Sequence, residues 1–221
     1  MTPVIVLVLA KAPQPGRVKT RLCPPATPRQ AARVAAAALL DTLDAAAAMP
    51  GARPVVALAG DVDAGESASE LGRPFHHIPV IGQRGSSLGD RIAAAHADTA
   101  QLYPGYPVLQ IGMDTPQVSA HLLQGCRDRL LEPGTDAVLG LAEDGGWWLL
   151  GLRDPRHAAA IAAVPTSRPD TGARTRLALA EHGLRIAAAP GLADVDTMPV
   201  ARAVASTVPG SRFAAAVELI R

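Results

Sequence analysis

The segment Lys11-Ala-Pro-Gln-Pro-Gly16-Arg17-Val-Lys19-Thr-Arg21 carries four cations in eleven residues, and no acid occurs before Asp41. Such a cluster repels itself unless an anion neutralises it. Lysine usage sharpens the point. Of 21 cationic side chains only Lys11 and Lys19 are lysine, and both fall here, while arginine serves everywhere else. A compact ammonium suits a phosphate oxygen, and Arg17 and Arg21 offer forks able to grip phosphate bidentately. Gly16 lets the backbone approach a ligand closely, and the prolines stiffen the loop. The competing reading is a solvated surface loop that is basic without a partner. As a phosphate-binding loop cation Lys19 is expected to be exposed, so that its loss weakens nucleotide binding and leaves the fold intact. Neither GxGxxG nor GK[ST] occurs in the loop, so it is not a dinucleotide fingerprint or a Walker-type phosphate loop.

Carboxylates gather after three apolar runs. Val108-Leu-Gln-Ile-Gly-Met113 leads into Asp114-Thr-Pro116, where the aspartate can serve as a metal ligand for a nucleotide phosphate or simply cap the next turn. Asp194-Val-Asp196-Thr197 is a second acidic turn. Hard oxygens arriving from two distant loops suit Mg²⁺ or Mn²⁺, with water and phosphate completing the shell. The third cluster is Glu143-Asp144-Gly-Gly-Trp147-Trp148. Its glycines fit an open loop against a ligand or a plain hairpin. In a strand the two tryptophans face opposite sides, so one belongs to the core and the other is free to stack on a base or sugar.

Short apolar runs alternating with Ala-rich helical stretches must position these groups, the pattern of an α/β protein with a largely parallel sheet. Strands are expected at Pro3–Leu9, Pro54–Ala59, His77–Ile81, Pro107–Met113, Asp136–Leu141, Trp147–Leu152 and Leu184–Ala188. Helices are expected at Pro28–Ala48, Leu88–Leu102, Ser119–Leu131, Thr171–His182 and near the C-terminus. Thr27 with Gln30 forms a capping box, Pro28 suits the first helical position, and Gly183 suits a C-cap. The polar stretch Asp61–Gly72 reads as a loop or weak helix. Ligands of such sheets bind beyond the carboxyl ends of the strands, where the basic and acidic segments fall.

Composition narrows the partners. Aromatics supply only 3% of the residues, so the core must be Ala, Val, Leu and Ile. A net charge of +1 argues against nucleic acid or a membrane surface as partner. Cys23 and Cys126 stand apart without a CxxC pattern, as reduced cytoplasmic thiols do. The apolar run Val4–Ala10 lacks a cationic region before it and is too short to span a bilayer, so it reads as a buried strand. With 221 residues, one domain over 1–221 is expected. The six histidines show no ligand spacing and receive no role.

The motifs Ala10–Leu22, Leu88-Gly-Asp-Arg-Ile92, Ile111–Pro116, Ala142–Trp148 and Asp194–Thr197 together resemble a glycosyltransferase-like family related to 2-phospho-lactate guanylyltransferase, which includes transferases proposed for an arsenosugar pathway. The resemblance covers nearly the whole chain. It implies a three-layer αβα fold of glycosyltransferase-A type, with a mixed, mostly parallel sheet and the nucleotide at its C-terminal edge. It also implies that Asp114 and Asp196 are the first and second metal ligands. The chain departs from the family where Met198-Pro-Val200 replaces the usual Pro-Glu-Asp. Thr115 likewise stands where many relatives have a smaller or thiol side chain, a change that bears on the acceptor pocket.

The expected reaction is metal-dependent nucleotidyl transfer from a nucleoside triphosphate to a small acceptor. Lys11, Arg17, Lys19 and Arg21 would hold the triphosphate and the leaving pyrophosphate. Asp114 and Asp196 would hold the metal, and Ala10, Gly16, Gln83, Gly85 and Gly89 would border the nucleotide. The alternative is glycosyl transfer from a nucleotide-sugar, with Asp144 or Glu143 as general base. A rival from another class is a serine hydrolase, since Gly85-Ser86-Ser87-Leu88-Gly89 fits GxSxG. A homodimer is compatible with any of these. The transferase readings require Lys11, Lys19, Asp114, Asp144 and Asp196 around one cleft, carboxylates on one side and cations on the other.

Overall fold

The computed structural model describes residues 3–221. In chain order its elements are β1 (Val4–Lys11), α1 (Pro28–Ala48), β2 (Ala52–Ala59), α2 (Ala68–Phe75), β3 (Val80–Gly82), α3 (Leu88–Leu102) and β4 (Val108–Gly112). There follow α4 (Ala120–Leu131), β5 (Ala137–Leu141), β6 (Trp147–Leu152), α5 (Thr171–Glu181), β7 (Ile186–Ala188), α6 (Met198–Thr207) and α7 (Arg212–Glu218). Short 3₁₀ turns occupy Thr20–Leu22 and Pro155–Ile161. The strands form one seven-stranded sheet in the order β3-β2-β1-β4-β6-β5-β7. Only β6 runs antiparallel, against β4 and β5.

β1 is covered on both edges and both faces, which is why it reads as an unbroken β-branched and leucine run. Val4, Val6 and Val8 face α1 and α4, while Ile5 and Leu7 pack with Ala95 of α3. On that second face Leu139, Leu150 and Leu152 join Ile161 and Leu179 of α5. Three αβα layers result.

α1 explains the alanine bias. Its Thr27 Oγ1 accepts from Gln30 N at 3.2 Å, and Gln30 Oε1 accepts from Thr27 N at 2.9 Å, the reciprocal cap expected from the sequence. Ala32, Ala35 and Leu39 press on the sheet, whereas Ala31, Val34 and Ala38 face α6 and α7 on the far side. A helix buried on two faces must be apolar nearly all round, and alanine lets both layers come close.

Several boundaries differ from expectation. β1 continues to Lys11, so that residue ends a strand instead of opening a loop. β3 and β7 shrink to three residues each. The polar stretch before β3 does contain a helix, α2, held by Leu71 in the core and continuing through Pro74. Gly183 takes φ +79° after α5, the left-handed conformation a C-cap glycine provides.

Candidate active site

The strand order reverses between β1 and β4, and a cleft opens beyond their carboxyl ends. Its volume is about 500 Å³, and Lys11, Arg17, Lys19 and Arg21 line it together with Asp114, Asp144 and Asp196. Backbone bonds draw the acidic segments together. Val195 N donates to Asp114 O at 2.8 Å, and Glu143 N donates to Leu192 O at 3.1 Å. Ala142 and Leu192 form a parallel bridge. Thus the ends of β4, β5 and β7 are laced side by side, although they come from distant parts of the chain.

The basic loop folds over them. Leu22 is fully buried with Val195, Met198 and Phe213, which anchors the 3₁₀ turn after Lys19. Lys19 itself sits at φ +48°, a left-handed conformation that costs a side-chain-bearing residue on the order of 1 kcal/mol. In this conformation its side chain turns inward, and only 7% of it is exposed. Its Nζ lies 2.6 Å from Asp114 Oδ1 and 3.5 Å from Asp196 Oδ1, and donates to Val195 O. Arg21 Nη1 reaches Asp196 Oδ2 at 2.8 Å. Lys11 Nζ donates to Arg17 O at 2.9 Å, holding the loop's other limb.

Two expectations need correction here. Lys19 is not an exposed loop cation, because burial between carboxylates makes it part of the structure. Nor do cations and carboxylates keep to opposite sides of the cleft. Lys19 stands between Asp114 and Asp196, so both acids converge on one centre of positive charge.

A second cavity of about 320 Å³ lies behind the first and shares Asp114, Asp144 and Asp196 with it. Asp194 also lines it, and its carboxyl titrates above the usual range through burial first, then repulsion from Asp144 and Asp196. Because Val195 is buried between them, Asp194 and Asp196 both turn toward the cavities. That alternation along an extended segment was the signal for Asp194. Ser167 and Arg168, which line both cavities, carry no signal of that kind in the sequence.

Asp144 accepts from Gly146 N at 2.7 Å in the β5–β6 turn. The adjacent glycines serve the chain's own packing. A Cβ on Gly145 would lie 2.0 Å from Pro169 O, and one on Gly172 2.6 Å from Gly146 O. Trp148 is buried with its Nε1 donating to Pro190 O, Trp147 is half-buried, and both tryptophans line the second cavity.

The expected base-and-ribose positions do not join either cavity. Gln83 Nε2 donates to Ala10 O and Ala57 O, both at 2.8 Å, and so staples β1 to β2. Gly85 adopts φ +131° against Asp90, and a Cβ on Gly89 would meet Ala162 O at 2.3 Å. Gly16, at φ +75°, keeps open space around it. The serine-hydrolase motif is a helix cap. Ser87 Oγ accepts from Asp90 N at 3.0 Å, and Ser86 Oγ donates to Asp90 Oδ2 at 2.7 Å; these bonds make Asp90 their partner, as α3 requires.

A divalent cation fits the donor set at Asp114 and Asp196, two hard carboxylates meeting at the point Lys19 Nζ now neutralises. Among the described residues no group of three or more His, Cys, Asp or Glu could enclose a metal, so phosphate and water oxygens would have to supply the remaining positions. No helix is long and apolar enough to cross a membrane.

No curated protein matches the chain in sequence. Among solved structures, it is similar to a protein of Desulfovibrio desulfuricans G20 provisionally named a nucleotide-diphospho-sugar transferase. The two are 25% identical, with 99% of this chain and 95% of that one covered and a TM-score of 0.82. A cytidylyltransferase from Leptospira borgpetersenii is 11% identical over 100% of this chain and 94% of that one, with a TM-score of 0.60. A mannosyltransferase from Pyrobaculum calidifontis, solved with GDP-Man and Mn²⁺, is 13% identical over 99% and 65%, with a TM-score of 0.55. The fold is therefore that of the glycosyltransferase-A, nucleotide-diphospho-sugar transferase type. By sequence, with residues 42–168 matched and Asp114 and Asp144 inside that span, the chain belongs to the family described as "Uncharacterized protein conserved in bacteria (DUF2064)".

Proposed function

We propose that the chain is a metal-dependent nucleotidyltransferase acting on a nucleoside triphosphate and a small acceptor. The observation that carries the reading is the convergence of Asp114, just beyond β4, and Asp196, just before α6, on Lys19 within a cleft also lined by Lys11, Arg17 and Arg21. Phosphoryl chemistry asks for little covalent work from a protein and much electrostatic positioning. The cations hold the triphosphate and neutralise the departing pyrophosphate. An acceptor hydroxyl attacks the α-phosphorus, the bond from that phosphorus to the bridging oxygen breaks, and pyrophosphate leaves with the electron pair. Asp144, on the rim shared by both cavities, is suited to take the hydroxyl proton. Mg²⁺ or Mn²⁺, held by Asp114 and Asp196, would supply Lewis-acid stabilisation of charge on the α-phosphate. Lys19, whose Nζ lies beside both carboxylates, would share with the metal the neutralisation of phosphate charge.

Glycosyl transfer from a nucleotide-sugar is the second reading. It is favoured by likeness to the Desulfovibrio protein and to the mannosyltransferase solved with GDP-Man. Both chemistries put a diphosphate against the basic loop. Thermal-shift titration with the four nucleoside triphosphates and with nucleotide-sugars, each with and without Mg²⁺, separates them. Metal-dependent stabilisation by a triphosphate is the expected result. Stabilisation by nucleotide-sugars alone would transfer the assignment to the second reading, and indifference to every nucleotide would refute both.

A further inference from the structure

The cavity behind the basic cleft differs from it in chemistry. Leu9, Leu88, Ile92 and Trp147 give it an apolar wall. The Trp147 Nε1 is committed to Thr175 Oγ1 at 3.2 Å, which leaves the ring to offer its apolar surface. Asp144 and Asp194 line the cavity as well, and Arg168 is the only cation among its described lining residues. That guanidinium is already paired with Asp170 at 3.1 Å. A further polar group awaits a partner. Thr115 lines the cavity, is 2% exposed, and its Oγ1 has no hydrogen-bond partner. Buried hydroxyls left unpaired are costly and uncommon in folded proteins.

We propose that this cavity is the acceptor site and that it takes an uncharged polyol or sugar ring. The assignment rests on the transferase reading above and adds the class of acceptor. Carboxylate walls repel a phosphorylated or carboxylated molecule, whereas neutral hydroxyls donate to them in strong charge-assisted bonds. A sugar or polyol also has a C–H face that can lie on an indole. One of its hydroxyls satisfies Thr115 Oγ1, a group that both donates and accepts. The shared rim at Asp114 and Asp144 brings such a hydroxyl toward the phosphate cleft.

The test is saturation-transfer difference NMR with methyl α-D-glucopyranoside, D-glucitol and glycerol 3-phosphate as probes, on wild type and on Thr115→Val and Trp147→Leu. A neutral probe is expected to bind, and each substitution to weaken it by about fivefold or more, the effect of losing one hydrogen bond or stacking contact. Thr115→Val alters one hydroxyl only and keeps the test valid should Trp147→Leu fail to fold. Absence of binding by both neutral probes overturns the proposal, as does neutral binding that neither substitution changes. A preference for glycerol 3-phosphate that Thr115→Val diminishes overturns it too. Triphosphate binding, read on the same samples as a shift in melting temperature, keeps the two assignments apart. If it persists while polyol binding fails, the acceptor cavity is wrong and the transferase reading stands.

Discussion

Lys19 Nζ lies 2.6 Å from Asp114 Oδ1, in the position a bound cation would be expected to share. The ammonium and a metal ion therefore compete for the same carboxylates. Lys19→Met removes the charge while keeping the length and the same left-handed backbone requirement. Mn²⁺ affinity without nucleotide should rise about tenfold, since a repelling cation has gone. Triphosphate affinity should fall by about tenfold or more. Stability should also drop, though by less than the roughly 3–5 kcal/mol of a fully buried pair, because Asp114 and Asp196 are partly exposed to water. Calorimetric titration of each ligand checks all three; unchanged Mn²⁺ affinity would remove the competition from the account.

Asp114→Asn preserves size and leaves an acceptor for Lys19 but removes the charge a hard cation requires. The increment in melting temperature that Mg²⁺ adds to triphosphate binding should vanish. A variant retaining the full increment rules out Asp114 as a ligand.

Gly145→Ala tests the hairpin that carries Asp144. The residue has φ +89°, and its new Cβ would meet Pro169 O at 2.0 Å, so either the turn or the Pro169 segment must shift. A loss of about 2–4 kcal/mol is expected from strain and clash together. Chemical denaturation measures it, and a loss below 1 kcal/mol would mean that the turn adapts freely.

His96 makes stability depend on pH away from the site. It is fully buried, and burial depresses its titration to about 4, against a weaker opposing hydrogen bond with Gln110 Oε1 at 3.1 Å. Its Nδ1 has no partner. In this range the unfolded chain binds the proton more readily than the folded one. The contribution is therefore intact above pH 6.5, falls as pH drops from 6.5 to 4, and levels off below. The full span is on the order of 3 kcal/mol. Denaturant midpoints at pH 8, 6 and 4 should decline in wild type and decline less in His96→Gln, which keeps a donor for Gln110.

What the sequence discloses and what it hides divide along physical lines. Val108–Met113 and Asp114 are legible because an apolar run ending in an acid and a proline encodes both a strand and its end. Thr27, Pro28 and Gln30 are legible because capping is local. The inward turn of Lys19 is hidden, since it depends on Leu22 finding a cluster formed by residues near the other end of the sequence. Gly89 misleads for a related reason: glycine permits close approach by a ligand or by the protein itself, and only the fold discloses Ala162 there. Asp194 was within reach, because an Asp-x-Asp segment with a buried centre turns both acids the same way.

Leu22 and Val195 sit in one cluster with Met198, Phe213 and Val217 of the last two helices. Lys19 is bonded to a carbonyl 176 positions further along the chain. On the ribosome, the basic loop thus emerges long before anything exists to hold it, and the early sheet strands can assemble without a working cleft. The basic loop therefore gains its anchor from α6 and α7, the last helices of the chain. A chain interrupted before Val195 would have most of the sheet but neither the cluster that buries Leu22 nor the carbonyl and carboxylate that hold Lys19.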